Sequence, residues 1–355
     1  MENFKNIVRL IISMLLSILS VFLCGFVYLN DGSVQIWNNE ALEETVSAPP
    51  VAQVPSQIIT QTQESAKEEA VLEQENSSST QETLTVSTDS QTAIGKITQQ
   101  FISSNTANLS HNNVHIKNST GLNIDLKSEL AQPIKFKVQK NSGPQVLIVH
   151  THATESFMLE DRDYYTAADV SRTTDNAANM INIGNIIAER LKVGGFSVLH
   201  DTTQHDKDSY SGSYDKAAKT ISEYLKKYPS IKIVIDVHRD SISLGDNNKA
   251  KPVVEIGGRK AAQVMLCMGS QSGAVTGFPN WKENFRLAAR FQQTMEVMYP
   301  GLARPMLLMS KKYNEHLTTG SMLLEVGTEA NSISEAAYSA ELVGNCLINL
   351  LNTLG

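Results

Sequence analysis

The sequence predicts an α/β fold in which a mostly parallel sheet is flanked by helices. Between residues 143 and 355, apolar runs of strand length alternate with amphipathic segments of helix length. This alternation is typical of strand–helix–strand units, which build parallel sheets. The run at 146–149 carries aliphatic residues at four consecutive positions, as strands buried on both faces do. Residues 141–355 therefore form one predicted domain.

The helices and strands of this domain are predicted from the spacing of apolar residues and from the glycines and prolines that end each element. Strands are predicted at 146–149, 196–199, 231–237, 306–309 and 322–324. Helices are predicted from Thr174 or Asp175, as the N-cap, to Gly194-Gly195, and at 214–228, 281–299 and 334–351. The two glycines Gly257-Gly258 predict a hairpin between 253–256 and 263–268.

The N-terminal residues predict a membrane anchor. Residues 10–29 carry no charge, and about twenty apolar residues are enough for a helix to cross the bilayer. Lys5 and Arg9 precede the stretch, so residues 1–9 should stay in the cytoplasm as a tail while the rest is exported. The alternative is a cleaved signal peptide, whose apolar region is shorter, at about 7–15 residues. We expect a single-pass protein whose domain lies on the outer face of the cell membrane.

Residues 30–110 predict a disordered, acidic linker rich in Gln, Ser and Thr. Ten acidic residues and two lysines give residues 39–110 a net charge of −8, whereas the whole chain carries −7. The rest of the chain is thus nearly neutral, and no basic cluster indicates binding to nucleic acid. Such a composition buries too little apolar surface to fold. Residues 111–140 form a short lead-in whose alternating segments are compatible with an edge strand or hairpin.

Three predicted strands end in residues that bind metals or transfer protons. His150, His152 and Glu155 follow the first strand, His238 ends a second, and Glu325 ends a third. The carboxyl ends of parallel strands meet at one edge of a sheet, so we expect these side chains to lie together. The coincidence predicts a metal-dependent hydrolase.

The ligand set suits one zinc ion per chain. Catalytic zinc takes three protein ligands, commonly His and carboxylate, and leaves a position for water. His152, Glu155 and His238 satisfy this count. His150 lies two residues before His152, so both point to the same side if the strand continues. Asp236 or Asp240 is placed to orient the His238 ring through its second nitrogen.

Glu325 is the predicted general base. It follows an apolar strand, where partial desolvation raises the pKa of a carboxyl and suits proton exchange near neutral pH. Other chemistries fit poorly. The stretch Gly269-Ser270-Gln271-Ser272-Gly273 has Gln where a serine hydrolase elbow has Ser, and no phosphate-binding glycine motif is present. Cys267 and Cys346 lie in apolar segments and are interpreted as small core residues.

Several motifs, in order, resemble the stage II sporulation protein P family. They are His150-Thr151-His152-x-x-Glu155-Ser156, Asp236-Val237-His238-Arg239-Asp240-Ser241, Phe278-Pro279-Asn280-Trp281-x-x-Asn284, Tyr313-Asn314 and Leu323-Leu324-Glu325-Val326-Gly327-Thr328. The resemblance covers about residues 140–355 and includes the layout of anchor, variable linker and C-terminal domain. This domain is similar to zinc-dependent N-acetylmuramoyl-L-alanine amidases, which implies a zinc amidase-like fold.

The resemblance implies a role in cell wall degradation. By that likeness the protein removes stem peptides from peptidoglycan strands at the sporulation septum during engulfment, with possible endopeptidase cleavage of cross-links. It also implies two partners, the lytic transglycosylase stage II sporulation protein D and the membrane scaffold stage II sporulation protein M.

Residues carried over from the family leave alternatives open. His238 as a ligand and Glu325 as the catalyst match the amidases directly. The first ligand is His152 or His150, and the carboxylate ligand is Glu155 or Asp175. Asp240 is a further candidate for a ligand or its support. Three side chains are expected to contact substrate, namely Arg239, Asn280 and Asn314.

Two other classes of function remain. The domain is alternatively a peptidoglycan-binding module, or a scaffold subunit of the engulfment complex in which catalysis is secondary. The sequence leaves open whether amide or cross-link cleavage dominates and whether a partner activates the enzyme.

Overall fold

The computed structural model describes residues Tyr28–Asn30, Ser33–Gln35 and 92–355 of the chain. The chain forms two compact units, Met1–Gln81 and Glu82–Gly355. In the first unit, β1 (Tyr28–Asn30) pairs with β2 (Ser33–Gln35) in antiparallel fashion. Among the described residues, no helix combines the length and apolarity of a membrane span. The anchor predicted at 10–29 lies outside the described residues except for its last two positions, which belong to β1.

The described part of the second unit, residues 92–355, contains thirteen strands and five α-helices. The strands are β3 (Ala93–Gln100), β4 (Leu109–His111), β5 (Val114–Asn118), β6 (Val146–Val149), β7 (Tyr164–Thr166), β8 (Val198–His200), β9 (Ile233–Asp240), β10 (Ser243–Gly245), β11 (Asn248–Ile256), β12 (Arg259–Ala262), β13 (Val264–Gly269), β14 (Met306–Met309) and β15 (Ser321–Thr328). The helices are α1 (Leu126–Ala131), α2 (Met180–Val193), α3 (Ser213–Lys227), α4 (Trp281–Met298) and α5 (Ile333–Asn352).

An eight-stranded sheet organises this unit, in the order β4-β5-β14-β13-β15-β9-β6-β8. Five of its seven pairings are parallel, and β4–β5 and β13–β15 are antiparallel. The predicted α/β class is therefore confirmed. The central strands β6, β9 and β15 run in the same direction, so that the segments following β6 and β9 emerge at one edge.

One face of this sheet, here the helical face, is apolar and covered by α2, α4 and α5. The alternate β9 residues Ile235 and Val237 belong to the largest hydrophobic core, together with Ile187 of α2, Phe285 of α4 and Val343 of α5. Each of these side chains is at most 1% exposed. Burying an aliphatic or aromatic side chain contributes about 1.5–3 kcal/mol, so this face is the main source of stability.

The opposite face, here the site face, is apolar only where α3 covers it. Leu147 and Val149 of β6 and Val234 of β9 pack there with Ile221 of α3 in a second core. Further along β9, Asp236 follows Val234 on the same side because side chains alternate along a strand. The change from apolar to ionisable residues thus occurs within one strand face.

A second sheet has the order β10-β11-β3-β7, with β12 pairing to β11. Its strand β3 runs parallel to β11, with Ile97 opposite Lys249. The predicted linker extended to residue 110, whereas β3 begins at Ala93, so the folded unit begins earlier than the sequence indicated. Residues 36–91 of that linker lie outside the described residues. The lead-in contains β5 and the short helix α1, and β4, which pairs with β5 at the sheet edge, begins two residues before the lead-in.

Candidate active site

Strand register places Glu325 beside His238. In the parallel pair β9–β15, Glu325 is opposite His238 and Leu323 is opposite Asp236. Residues opposite each other on neighbouring strands project from the same face of a sheet. Asp236, His238 and Glu325 therefore share the site face, beyond the part that α3 covers.

The loop after β6 brings two more predicted residues to this face. Its backbone is fixed by Asp236, which accepts hydrogen bonds from Thr151 N and Oγ1 at 2.8 and 2.6 Å. Beyond this anchor, the His152 ring centroid lies 5.3 Å from that of His238. Glu155 Oε2 lies 3.5 Å from His238 Nδ1. His152, Glu155 and His238 are all buried, with exposures of 4, 6 and 3%.

These distances are compatible with ligands of one zinc ion. Ligand atoms bound at about 2.0–2.1 Å to a tetrahedral zinc lie about 3.3 Å apart, and two bound imidazoles place their centroids about 5 Å apart. His152 Nδ1 and His238 Nε2, which face Asp206 and Asp236, are buried without a hydrogen-bond partner, so His238 Nδ1, 3.5 Å from Glu155, is the ligand atom of that ring. No group of three His, Cys, Asp or Glu side chains in the described part of the chain is already arranged to hold a metal ion. The donor chemistry and pair spacings fit zinc, and the three side chains do not yet converge on one point.

The charges in this cluster are strongly coupled. Burial disfavours the imidazolium of His238, but Asp236 and Glu155 outweigh burial and raise its pKa well above the ordinary value. Asp236 Oδ1 lies 2.9 Å from His238 Nε2, at an angle that makes no hydrogen bond. Burial lowers the pKa of His152 to about 4, and the nearby His238 charge acts in the same direction. His152 is therefore neutral at pH 7, the form that binds metals.

Glu325 has the environment of a proton-transfer group. Burial, with smaller contributions from the charges of Glu155 and Asp240, raises the pKa of its carboxyl to about 8 against the opposing charge of His238. Its Oε2 atom is buried and has no hydrogen-bond partner. An unpaired buried carboxyl is costly, and such strain is often found at functional sites.

The alternative ligand His150 points away from this cluster. Strand β6 ends at Val149, so the alternation that would place His150 and His152 on one side does not continue. His150 Nδ1 donates to the Val237 carbonyl at 2.9 Å, and its Nε2 lies 2.8 Å from His200 Nε2. Both ring nitrogens of His150 are thus engaged with other groups.

The other alternative residues also have local partners. Asp175 is exposed and accepts a hydrogen bond from Ala177 N at 2.9 Å. The cap of α2 is Asn179, which accepts from Ile181 N, so the predicted cap at Thr174 or Asp175 is wrong. Asp240 accepts from Arg304 Nη2 at 2.8 Å rather than contacting the His238 ring.

The three predicted substrate-contacting side chains hold loops in this structure. Arg239 donates to the carbonyls of Ser156 and Ser171 at 3.2 and 2.7 Å. Asn280 donates to the Thr318 carbonyl, and Asn314 donates to the Tyr214 carbonyl at 2.8 Å. Their role in binding substrate stays a prediction.

Sequence reasoning missed several residues of the site, most of which come from loops. Asp206 is buried, lies 3.9 Å from His152 Nδ1 and accepts hydrogen bonds from Thr154 N and Oγ1 at 3.1 and 2.5 Å. It is thus a carboxylate neighbour of His152, as Asp236 is of His238. The pair His205-Asp206 was the available signal, but it lies far from the strand motifs. The other missed residues are the loop residues Arg172, Tyr210 and Tyr313 and, near the start of α3, Tyr214.

A comparison with models of protein families shows to which family the chain belongs. The family model for stage II sporulation protein P matches residues 30–348. The chain belongs to the stage II sporulation protein P family. A relative of that name from Bacillus subtilis (strain 168) is 27% identical over 225 residues, which is 60% of this chain and 53% of the relative. The chain thus aligns with about half the length of this relative.

Solved structures with a weaker likeness include amidases. An N-acetylmuramyl-L-alanine amidase from Mycobacterium abscessus is 13% identical, with a TM-score of 0.35, over 60% of this chain and 99% of the other. The CwlD amidase from Clostridioides difficile, solved with the GerS lipoprotein, is 11% identical with a TM-score of 0.35, over 59% and 99%. Similarity at this level decides neither fold nor activity.

Proposed function

We propose that this protein is a zinc-dependent N-acetylmuramoyl-L-alanine amidase that removes stem peptides from peptidoglycan strands. The observation that carries the proposal is the position of Glu325, side by side with His238 on the site face, while the loop after β6 brings Glu155 and His152 close to the same His238 ring. Two imidazoles and a carboxylate beside a buried acid form the set that zinc hydrolases use.

His152, Glu155 and His238 are the residues that would hold zinc. The ion, when bound, polarises the amide carbonyl and lowers the pKa of a water molecule. Asp236 and Asp206 support the two histidines, since each carboxylate lies within 4 Å of a ring nitrogen: 2.9 Å for Asp236 and 3.9 Å for Asp206. Such outer carboxylates orient imidazole ligands and increase their basicity.

Glu325 acts as the general base. It takes a proton from the attacking water and returns it to the amine of the departing peptide. A carboxyl whose pKa is about 8 exchanges protons near neutral pH, which suits a group that must both accept and donate. Its partner-free Oε2 atom leaves an acceptor available for the water.

The proposal extends to the setting of the reaction. An uncleaved anchor at residues 10–29 would hold the enzyme on the outer face of the cell membrane at the sporulation septum, where engulfment takes place. Stage II sporulation proteins D and M are the proposed transglycosylase and scaffold partners. Cleavage of peptide cross-links is a second proposed activity, because an amide within the peptide offers the same carbonyl and leaving amine.

The competing function is a binding or scaffold role without chemistry. The decisive experiment incubates the purified full-length chain in detergent with peptidoglycan and identifies the products by mass spectrometry, beside Glu325→Gln and His238→Ala. We expect free stem peptides from the wild type, and at least about a hundredfold less from each variant. Equal products from Glu325→Gln, or none from the wild type even with the transglycosylase added, would contradict the amidase function.

A further inference from the structure

Arg172 is a partly exposed cation held rigidly at the edge of the candidate site. Its side chain is 37% exposed. Nη1 donates to Asp206 Oδ2 at 2.7 Å and to Thr154 Oγ1 at 3.3 Å. Nη2 donates to Glu155 Oε1 at 3.3 Å, on the carboxylate whose other oxygen faces His238. Two carboxylates therefore fix the plane of the guanidinium next to a proposed metal ligand.

An exposed aromatic ring supports the same guanidinium. The Arg172 guanidinium carbon lies 4.7 Å from the ring centroid of Tyr210. This ring in turn stacks on His152, with centroids 4.2 Å apart and an angle of 10° between the planes. Tyr210 is 61% exposed although it contacts the centre of the site. Together the two side chains form a surface that is open to solvent and adjacent to the proposed metal ligands.

Part of the guanidinium is free to bind another group. A guanidinium has five N–H donors. The three hydrogen bonds above use Nη1 and one proton of Nη2, and no described residue accepts a hydrogen bond from Nε. The unpartnered Nε–H lies on the edge that Nε shares with Nη2, and this is the edge through which a guanidinium binds a carboxylate by two parallel hydrogen bonds.

We infer that the free edge of Arg172 binds a carboxylate of the stem peptide, next to the bond that is cleaved. This inference rests on the proposed amidase function and assigns its substrate class, namely peptides with a free carboxylate near the scissile amide. Arg239 offers no such edge for this contact, because its Nε already donates to the Ser156 carbonyl and its Nη2 to the Ser171 carbonyl. The apolar ring of Tyr210 forms the floor beneath the bound peptide.

A substrate pair tests the inference directly. The full-length chain is assayed on a muramoyl dipeptide whose second residue carries a free carboxylate, and on the same molecule with that group converted to a carboxamide. We expect the wild type to prefer the carboxylate at least about tenfold in kcat/KM, mainly through KM. Arg172→Lys keeps the charge but loses the paired donors, so the preference should fall below about threefold while cleavage of the carboxamide persists.

Arg259 provides a matched control. Its guanidinium carbon lies 3.7 Å from the Tyr338 ring centroid, and its Nη1 is 3.6 Å from Glu341, on a side chain that is 56% exposed. Arg259→Lys should keep the full preference. The zinc content of each variant is measured as well, because Arg172 also contacts Glu155. The affinity for the released dipeptide, measured by calorimetry, should weaken in Arg172→Lys alone.

Each other result overturns the inference. An unchanged preference in Arg172→Lys would exclude the carboxylate contact. Equal cleavage of both substrates by the wild type would exclude it too, while the amidase function would stand. Equal losses on both substrates together with reduced zinc would restrict Arg172 to positioning Glu155. If the wild type cleaves neither molecule and releases no peptide from peptidoglycan, the proposed function fails and the inference fails with it.

Discussion

The two faces of the eight-stranded sheet differ although the same strands build both. On β9, the helical face presents Ile235 and Val237, whereas the site face presents Asp236 and His238. The helical face contacts α2, α4 and α5, and the site face loses its helix cover where its ionisable residues begin. One side of β9 therefore contributes mainly to stability and the other to the proposed chemistry. Substitutions on the helical face should change stability, and substitutions on the site face should change activity.

The largest expected effect is on the site face. Glu325→Gln preserves the shape of the side chain but removes the proton acceptor, so kcat should fall about a thousandfold. Because the buried carboxyl has an unpaired oxygen, its replacement should change the free energy of unfolding by less than about 1 kcal/mol. Urea unfolding beside the activity assay checks both numbers. If Glu325→Gln lost stability and activity together, the site face would not differ from the helical face in its contribution to stability.

On the helical face, the expected effect is on stability. Phe285 of α4 is fully buried, with an exposure of 0%. Phe285→Ala leaves a cavity and should lower the free energy of unfolding by about 3–5 kcal/mol. The activity per folded molecule should remain within about twofold of the wild type, as measured below the unfolding transition. A specific loss of kcat in this variant would mean that the helical face contributes directly to the site.

The helices of the helical face were easier to predict from the sequence than the second sheet. The aliphatic runs and amphipathic periods predicted three of the long helices to within one residue at each end. Ser213–Lys227, Trp281–Met298 and Ile333–Asn352 were predicted as 214–228, 281–299 and 334–351. Their apolar stripes are local signals. In contrast, β3 was taken for linker because its partner β11 lies about 150 residues further along the chain.

The sequence predicted only those residues of the candidate site that follow or end a strand. His152, Glu155, His238 and Glu325 follow apolar runs, and the structure brings them together. The position of His150 was not predictable, because its partners Val237 and His200 belong to strands much further along the chain. The loop residues Asp206 and Arg172 reach the site through tertiary contacts that have no sequence period.

The smallest expected effect is a pH dependence of stability from the histidine pair behind the site. Burial lowers the pKa of His150 to about 3 and that of His200 to about 4. Since the unfolded chain binds these protons near pH 6.5, the stabilisation is present above that pH and is lost as the pH falls towards 4. Each histidine contributes at most about 1.4 kcal/mol per pH unit in this window.

His200→Gln tests this linkage. The variant retains a polar side chain but removes one titrating group, so its unfolding free energy should fall less steeply between pH 6.5 and pH 5 than that of the wild type. Denaturant unfolding at a series of pH values measures the slope. Equal slopes in both proteins would assign the acid sensitivity to other groups.

Zinc binding by single-site variants is the most direct test of the site face as the catalytic centre. Equilibrium dialysis of the full-length chain should give one zinc per molecule. We expect His152→Ala, Glu155→Ala and His238→Ala to lose it, and His150→Ala to keep it, because both nitrogens of His150 are engaged by Val237 and His200. Retention of zinc by His152→Ala together with its loss from His150→Ala would contradict the assignment.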